Sequence, residues 1–324
     1  MDRVPVGVVG VGRLGRFHAQ KYAANSGAEL VGVYDSDQEV AERVARETGC
    51  RPFTGLESLL AKVKAVSVAA PTLAHHEIGR QVLSSGRHLL MEKPITATSQ
   101  EAKDLVKLAD RSGLILQVGH IERFNPGVRA LNGVDVRPKF VEAHRLAPYS
   151  PRGADVSVIH DLMIHDLDVL LHWMGSEVER VDAAGVPVIT RAVDIANARI
   201  TFSGHRVANL TASRISLKRM RKFRIFQEDA YISVDFEKRR AEIYRRVPAG
   251  TPRSLPIPGA DDADLRVLIR KTRAKKDEDA LAREVDAFLA AVRIGHSPEV
   301  GGREATVALE LVEDIARQCA VEIA

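Results

Sequence analysis

The chain has 324 residues, 45% hydrophobic and 28% charged; at about 150 residues per domain this predicts two domains, each with its own core. Its apolar runs are strand-sized, and the first residues enter a strand without the basic, apolar and small-residue stages of a leader, so neither a membrane span nor secretion is expected. Cys50 and Cys319 are too few for a disulfide framework or a cysteine zinc site, which points to the cytoplasm; the net charge of +4 matters less than basic runs at 218–224, 238–246 and 270–276.

Along the chain, strand-length apolar runs at 4–9, 29–34, 65–70, 88–91 and 114–118 alternate with helical stretches. That rhythm predicts right-handed βαβ units and a doubly wound parallel sheet. After about residue 121 the pattern changes to period two: Ala196, Ala198, Ile200 and Phe202 alternate with Asn197, Arg199 and Thr201, and similar segments follow at 207–215, 222–227, 231–236 and 241–246. An antiparallel meander with one buried face is expected there. Helices fit at 157–174, 279–293 and 304–319, and the proline-rich stretch 247–264 reads as an irregular loop. The fold class is therefore α/β: a Rossmann domain over 1–121 and, over 122–324, an α+β domain with a largely antiparallel open sheet.

Gly10-Val11-Gly12-Arg13-Leu14-Gly15 follows the first strand and opens the first helix. In a dinucleotide fingerprint the first glycine permits the tight turn, the second lets backbone approach a pyrophosphate, and the third lets helix and strand pack closely. A bare GxGxxG also fits a glycine-rich turn, but this one has the strand before it, the helix after it, and Asp35 at the end of the second strand. Asp35 can accept both ribose hydroxyls and repels a 2′-phosphate; Ser36 and Asp37 follow it rather than an arginine, so NAD is expected over NADP. The alternative for Asp35 is a helix cap.

Met91-Glu92-Lys93-Pro94 lies at the carboxyl end of a parallel strand, the edge at which open α/β sheets bind ligands. In the second domain Asp161 and His165, spaced i, i+4, share a helix face. A histidine oriented by a nearby acid suits a general base near neutral pH. With Asp168 and His172 they form a longer polar stripe that also fits a solvated face; no third convergent ligand is evident, so no metal is assigned.

Taken together, Gly10 to Gly15 with His18, Ala70-Pro71-Thr72 with His75, Gly86-Arg87-His88 leading to Glu92-Lys93-Pro94, and Asp161 with His165 resemble the Gfo/Idh/MocA family of nicotinamide-dependent oxidoreductases over almost the whole chain. The resemblance implies that Ala70, Pro71, Thr72 and His75 line the cofactor, that Glu92 and Lys93 lie by the nicotinamide, and that Lys93, Asp161 and His165 form the catalytic group. Where many members carry a glycine-rich run before that helix, this chain has Gly153-Ala154-Asp155-Val156-Ser157. Residues 119–126 and 161–166 resemble the branch acting on UDP-N-acetylglucosamine, which implies oxidation of a sugar hydroxyl, at C3, to a ketone. Inositol, another cyclitol or a free sugar is the alternative substrate, and a non-catalytic dinucleotide sensor the alternative class; the presence of both Lys93 and His165 favours the enzyme. A nucleotide sugar carries a diphosphate, for which Arg145, Arg152 and the run 218–224 are available, although such runs are commonly solvated surface. Nucleic acid is disfavoured by the 5% aromatic content. A homo-oligomer, dimer or tetramer, is expected because one face of the open sheet is left to be covered.

Overall fold

The computed structural model describes residues 3–151, 153, 156–257, 266–273 and 278–320. It divides into two compact units: Met1–Phe124 with Asp279–Glu310, and Asn125–Glu278 with Leu311–Ala324. The return of Asp279–Glu310 to the first unit is absent from the linear division at 1–121 and 122–324. No helix among the described residues is long and apolar enough to cross a membrane.

The first unit is a six-stranded parallel sheet. Its strands are β1 (Val4–Val9), β2 (Ala28–Tyr34), β3 (Arg51–Phe53), β4 (Ala65–Val68), β5 (His88–Glu92) and β6 (Leu116–Gly119), in the order β3-β2-β1-β4-β5-β6. Helices α1 (Arg13–Ala24), α2 (Gln38–Thr48), α3 (Leu56–Leu60), α4 (His75–Ser84) and α5 (Ser99–Arg111) connect them. The strand order reverses between β1 and β4, so their carboxyl ends open the crevice in which such sheets bind ligands. Helix α5 begins with a reciprocal capping box between Thr98 and Glu101, and the Asp37 side chain caps α2.

The second unit opens with the short α6 (Pro126–Arg129) and carries a nine-stranded sheet. Strands β7 (Phe140–Leu146), β8 (Val178–Val186), β9 (Ile195–Phe202), β10 (Arg206–Ser213), β11 (Met220–Phe226), β12 (Ala230–Asp235), β13 (Arg240–Val247), β14 (Leu255–Pro256) and β15 (Arg266–Arg273) run in the order β14-β15-β13-β12-β11-β7-β10-β9-β8. The sheet is antiparallel except where β10 lies parallel to β7, so it is mixed rather than a pure meander. The proline-rich stretch is also not all loop, because Leu255–Pro256 pairs with β15; its residues 258–264 lie outside those described. The face carrying Ala143, Ile200, Leu210, Phe223, Ile232 and Ile243 is buried. On the other face the strand register aligns Phe140, Phe226, Tyr231 and Tyr244 in one row, with adjacent ring centroids 5.6, 5.1 and 5.6 Å apart.

Helix α7 (Ile164–Met174) belongs to this unit; α8 (Ala280–Ile294) returns to the first, and α9 (Gly302–Gln318) follows. Asp279 caps α8 through the Ala282 N–H, and Gly295 ends it in the left-handed conformation. Its buried face, with Val285, Phe288, Leu289 and Val292, joins Val4, Val6, Val8, Tyr22 and Val33 in one core. Phe288→Ala should therefore destabilise the nucleotide-binding unit by about 3–5 kcal/mol. Denaturant unfolding followed by a probe in that unit checks this, and an unchanged transition would detach α8 from its core.

Candidate active site

The glycine turn is set by close backbone approach. The Gly10 N–H donates to Tyr34 O, and Gly10 has φ +76°. A Cβ there would lie 2.5 Å from the Ala70 nitrogen, and one at Gly15 would lie 1.9 Å from Gly10 O, so neither position tolerates a side chain. At Gly12 a Cβ would meet nothing within 4 Å, leaving open space in front of the turn. Helix α1 starts from Gly12 with no side-chain cap and no acidic residue in its first turn, in contrast to α2 and α5. An uncapped helix start behind an open, glycine-lined space is an anion site.

Asp35 closes this turn from the neighbouring strand: its Oδ2 accepts from the Val11 N–H at 2.7 Å and its Oδ1 from the Asp37 N–H at 3.0 Å. A carboxylate has about four acceptor positions, so capacity remains for ribose hydroxyls. Asp37, not Asp35, caps α2, which removes the capping alternative for Asp35. These residues fit a dinucleotide, and Gly10 to Gly15 with Asp35 would hold it. Arg13 and Leu14 are exposed at the helix start, and Pro71 and Thr72 follow the end of β4.

At the end of β5, Glu92 Oε1 lies 2.8 Å from His18 Nε2 and Glu92 Oε2 accepts from the Lys93 N–H at 3.1 Å. Lys93 is half-buried and precedes a cis peptide bond to Pro94. His75 is buried between two loops, with Nδ1 2.9 Å from Pro94 O and Nε2 2.8 Å from Ala70 O. A neutral ring donates to only one of these carbonyls, so His75 is packed between the two loops rather than presenting an open ring face.

In the second unit, Asp161 and His165 do not lie on one regular α-helix. Residues Ile159–Met163 form a π-turn, in which the Ile164 N–H reaches back to Ile159 O, and α7 continues from Ile164. Such widened turns cluster at functional sites, and this one resets the angle between Asp161 and His165 from that of a plain i, i+4 pair. Both are half-buried, Asp168 is buried and His172 is exposed, so the polar stripe is not one solvated face. Arg145 is only 2% exposed, and its Nε and Nη2 lie 2.9 and 2.7 Å from Asp166 Oδ1. Its charge is committed to the helix carrying His165, not displayed for a diphosphate; Arg152 lies outside the described residues.

Two residues that sequence reasoning did not single out hold the segment before that helix. Arg214 donates to Gly153 O at 2.8 Å and to Val156 O, and its Nε lies 3.8 Å from the fully buried Asp194. Asp194 in turn accepts from the N–H groups of Val188, Ile189 and Thr190 and from the Thr190 hydroxyl. A residue at Gly153 would bring its Cβ to 3.6 Å from Asp161 Oδ2, so the clamped segment adjoins the candidate acid. Its sequence signal is faint: an isolated Asp before an alternating strand.

Comparison with known proteins agrees with this geometry. Residues 4–120 match the model of the oxidoreductase family with an NAD-binding Rossmann fold, and residues 137–233 match the GFO/IDH/MocA C-terminal domain. The chain belongs to the Gfo/Idh/MocA oxidoreductase family. Among its relatives is the UDP-N-acetylglucosamine 3-dehydrogenase of Acidithiobacillus ferrooxidans, 42% identical over 92% of this chain and 91% of that protein. A solved structure of the UDP-N-acetylglucosamine 3-dehydrogenase from that organism superposes with a TM-score of 0.88, at 39% identity and 98% coverage of both chains. The inositol 2-dehydrogenase of Rhizobium meliloti is 26% identical over 98% of this chain and 97% of its own length.

Hydrogen bonds from backbone and Thr190 hold the buried Asp194 carboxyl down, against the opposing effect of burial, from 3.8 to about 2. A depressed folded-state pKa stabilises fully above the unfolded value and loses that contribution as pH falls through the folded one, an effect of about 2 kcal/mol. Asp194→Asn should therefore be less stable than the parent near neutrality, with the gap closing between pH 4 and 2. Denaturation midpoints across that range check it; a constant gap would remove the titration from the account.

Proposed function

We propose that this family member oxidises the C3 hydroxyl of UDP-N-acetylglucosamine to a ketone, with NAD as its cofactor. The observation that carries the reading is the joint match, over nine-tenths of both chains, to a relative of that name, together with a dinucleotide cradle and a lysine at the strand end. When bound, the nicotinamide accepts the hydride. His165 takes the hydroxyl proton, Asp161 orients the imidazole or a neighbouring hydroxyl, and Lys93 stabilises the developing alkoxide through its ammonium. The NAD preference rests on Asp35, whose charge opposes a 2′-phosphate. Cationic contacts to the diphosphate fall to Arg152 and the run 218–224, since Arg145 is bound to Asp166. The two free cysteines suit a cytoplasmic enzyme.

A panel of nucleotide sugars, cyclitols and free sugars, followed by nicotinamide absorbance, tests the substrate. UDP-N-acetylglucosamine should give the highest kcat/KM with NAD. Higher values with an inositol would assign the enzyme to the cyclitol side of the family. Lys93→Ala and His165→Ala should each lower kcat by about 10²- to 10⁴-fold while leaving NAD affinity intact. Near-normal turnover of either variant would remove that residue from the chemistry.

The aromatic row on the open sheet face supports a homo-oligomer in which a second copy covers it, because such a contiguous apolar patch is seldom left to water. Phe226→Glu with Tyr231→Glu should convert the assembly to monomers in sedimentation; a parent protein that already sediments as a monomer would contradict the assignment.

A further inference from the structure

Beside the aromatic row, the open face of the nine-stranded sheet carries a row of charges whose pattern inverts at its middle. On the β15-β13-β12-β11 half the strand register aligns Lys271, Glu242, Ser233 and Arg224. On the β7-β10-β9-β8 half it continues with Glu142, Asn209, Arg199 and Asp182. Basic, acidic, polar, basic is followed by acidic, polar, basic, acidic: the second half is the first read backwards with every sign reversed. We propose that a second copy of this chain docks face to face on the sheet about a two-fold axis that runs parallel to the strands between β7 and β11, and that the charge row sets this register. The register rests on the homo-oligomer proposed above, and experiment separates the two.

A two-fold axis lying between two facing sheets and parallel to their strands keeps each row opposite itself and exchanges the strands on either side of the axis. Strand β11 then faces β7 of the second copy, β12 faces β10, β13 faces β9 and β15 faces β8, with the two-residue β14 left at the rim. Arg224 meets Glu142, Glu242 meets Arg199 and Lys271 meets Asp182, each pair occurring twice, while Ser233 meets Asn209. In the adjoining row Phe226 meets Phe140 and Tyr231 meets Val207 across the same axis. Neighbouring positions of the axis set like charges face to face, which an interface strongly disfavours. Moved onto β11 or β7, the axis sets Arg224 or Glu142 against the same residue of the second copy. Moved by one full strand spacing, it sets Glu242 against Glu142 or Arg224 against Arg199.

Within one chain this row is only partly satisfied. Arg224 lies 3.2 Å from Glu142, so that pair and its symmetry mate close a ring of four alternating charges around the axis. Arg199 is exposed, donates to Asn209 at 3.1 Å and has no ion-pair partner among the described residues. Glu242 accepts from the Tyr244 hydroxyl at 2.9 Å, and its nearest cations, Arg240 and Lys271, stand 3.9 Å away. Arg199 and Glu242 sit on β9 and β13, five strand spacings or about 24 Å apart, so only a second copy brings them together. Exposed pairs contribute little in water, whereas an interface that excludes water strengthens the same attraction.

Charge reversal, read by sedimentation of the full chain, tests the register. Arg199→Glu and Glu242→Arg should each raise the dissociation constant of the contact by about tenfold or more, shifting the protein towards half the parent's mass. Combined in one chain, the two changes should restore the parent's mass. An equimolar mixture of the two single variants should do the same, because both of its cross-axis pairs then set a glutamate against an arginine. Should either single variant fail to fold, Lys271→Glu and Asp182→Lys repeat the cycle nearer the rim of the sheet. Single variants that keep the parent's dissociation constant, or that weaken it without rescue in the double variant and the mixture, would overturn the register while leaving the oligomer in place. A parent that sediments as a monomer would overturn the oligomer and its axis together.

Discussion

The contact on which the nucleotide half depends is backbone against backbone: Gly10 lies against Ala69 and Ala70, and Gly15 against Gly10. That approach lets α1 begin directly above the point where strand order reverses, with its first N–H groups free of any side-chain cap. Elsewhere in the same sheet the helix starts α2 and α5 are closed by Asp37 and by the Thr98 capping box. The chain thus leaves the start of α1 open where a phosphate belongs, although α3 and α4 also begin without a side-chain cap. Ordinary side chains at Gly10 or Gly15 would separate strand from helix, and Asp35 would lose its hold on the Val11 N–H.

At the neighbouring strand ends, polar groups carry the organisation. His75 is packed between the Pro94 and Ala70 carbonyls, and Glu92 holds the Lys93 backbone. In the other unit Arg145 pins α7 through Asp166, while Arg214 and Asp194 hold the segment before the π-turn. Buried charges of this kind contribute little net stability, because desolvation offsets much of their attraction. Their effect is to select one arrangement of loops that apolar packing alone would leave free. Before Asp161 the carbonyls of Gly153 and Val156 are held by the Arg214 guanidinium.

Much of this was readable from residue order. Strand β1 falls at the predicted residues, the other four predicted parallel strands lie within two residues or so of theirs, and the glycine motif sits at the predicted turn. Strand β7 was missed because Arg145 occupies an inward position and breaks its alternation, and β8 because neither of its faces is consistently buried. The π-turn leaves no periodic trace, since five residues are too few to distinguish it from the α-helix that follows. The return of α8 was hidden because a helix in sequence carries no address. Its one clue was Glu284 on the apolar face between Leu281 and Phe288, a charge where the helical period asks for a hydrophobe.

In the proposed reaction the carbon-bound hydrogen at C3 of the nucleotide sugar is the one removed. UDP-N-acetylglucosamine deuterated at C3, turned over with NAD and read by mass spectrometry, tests it most directly. One deuteron should appear in the reduced nicotinamide and a ketone in the sugar. Reduced nicotinamide without deuterium, or a sugar that keeps its label, would contradict it.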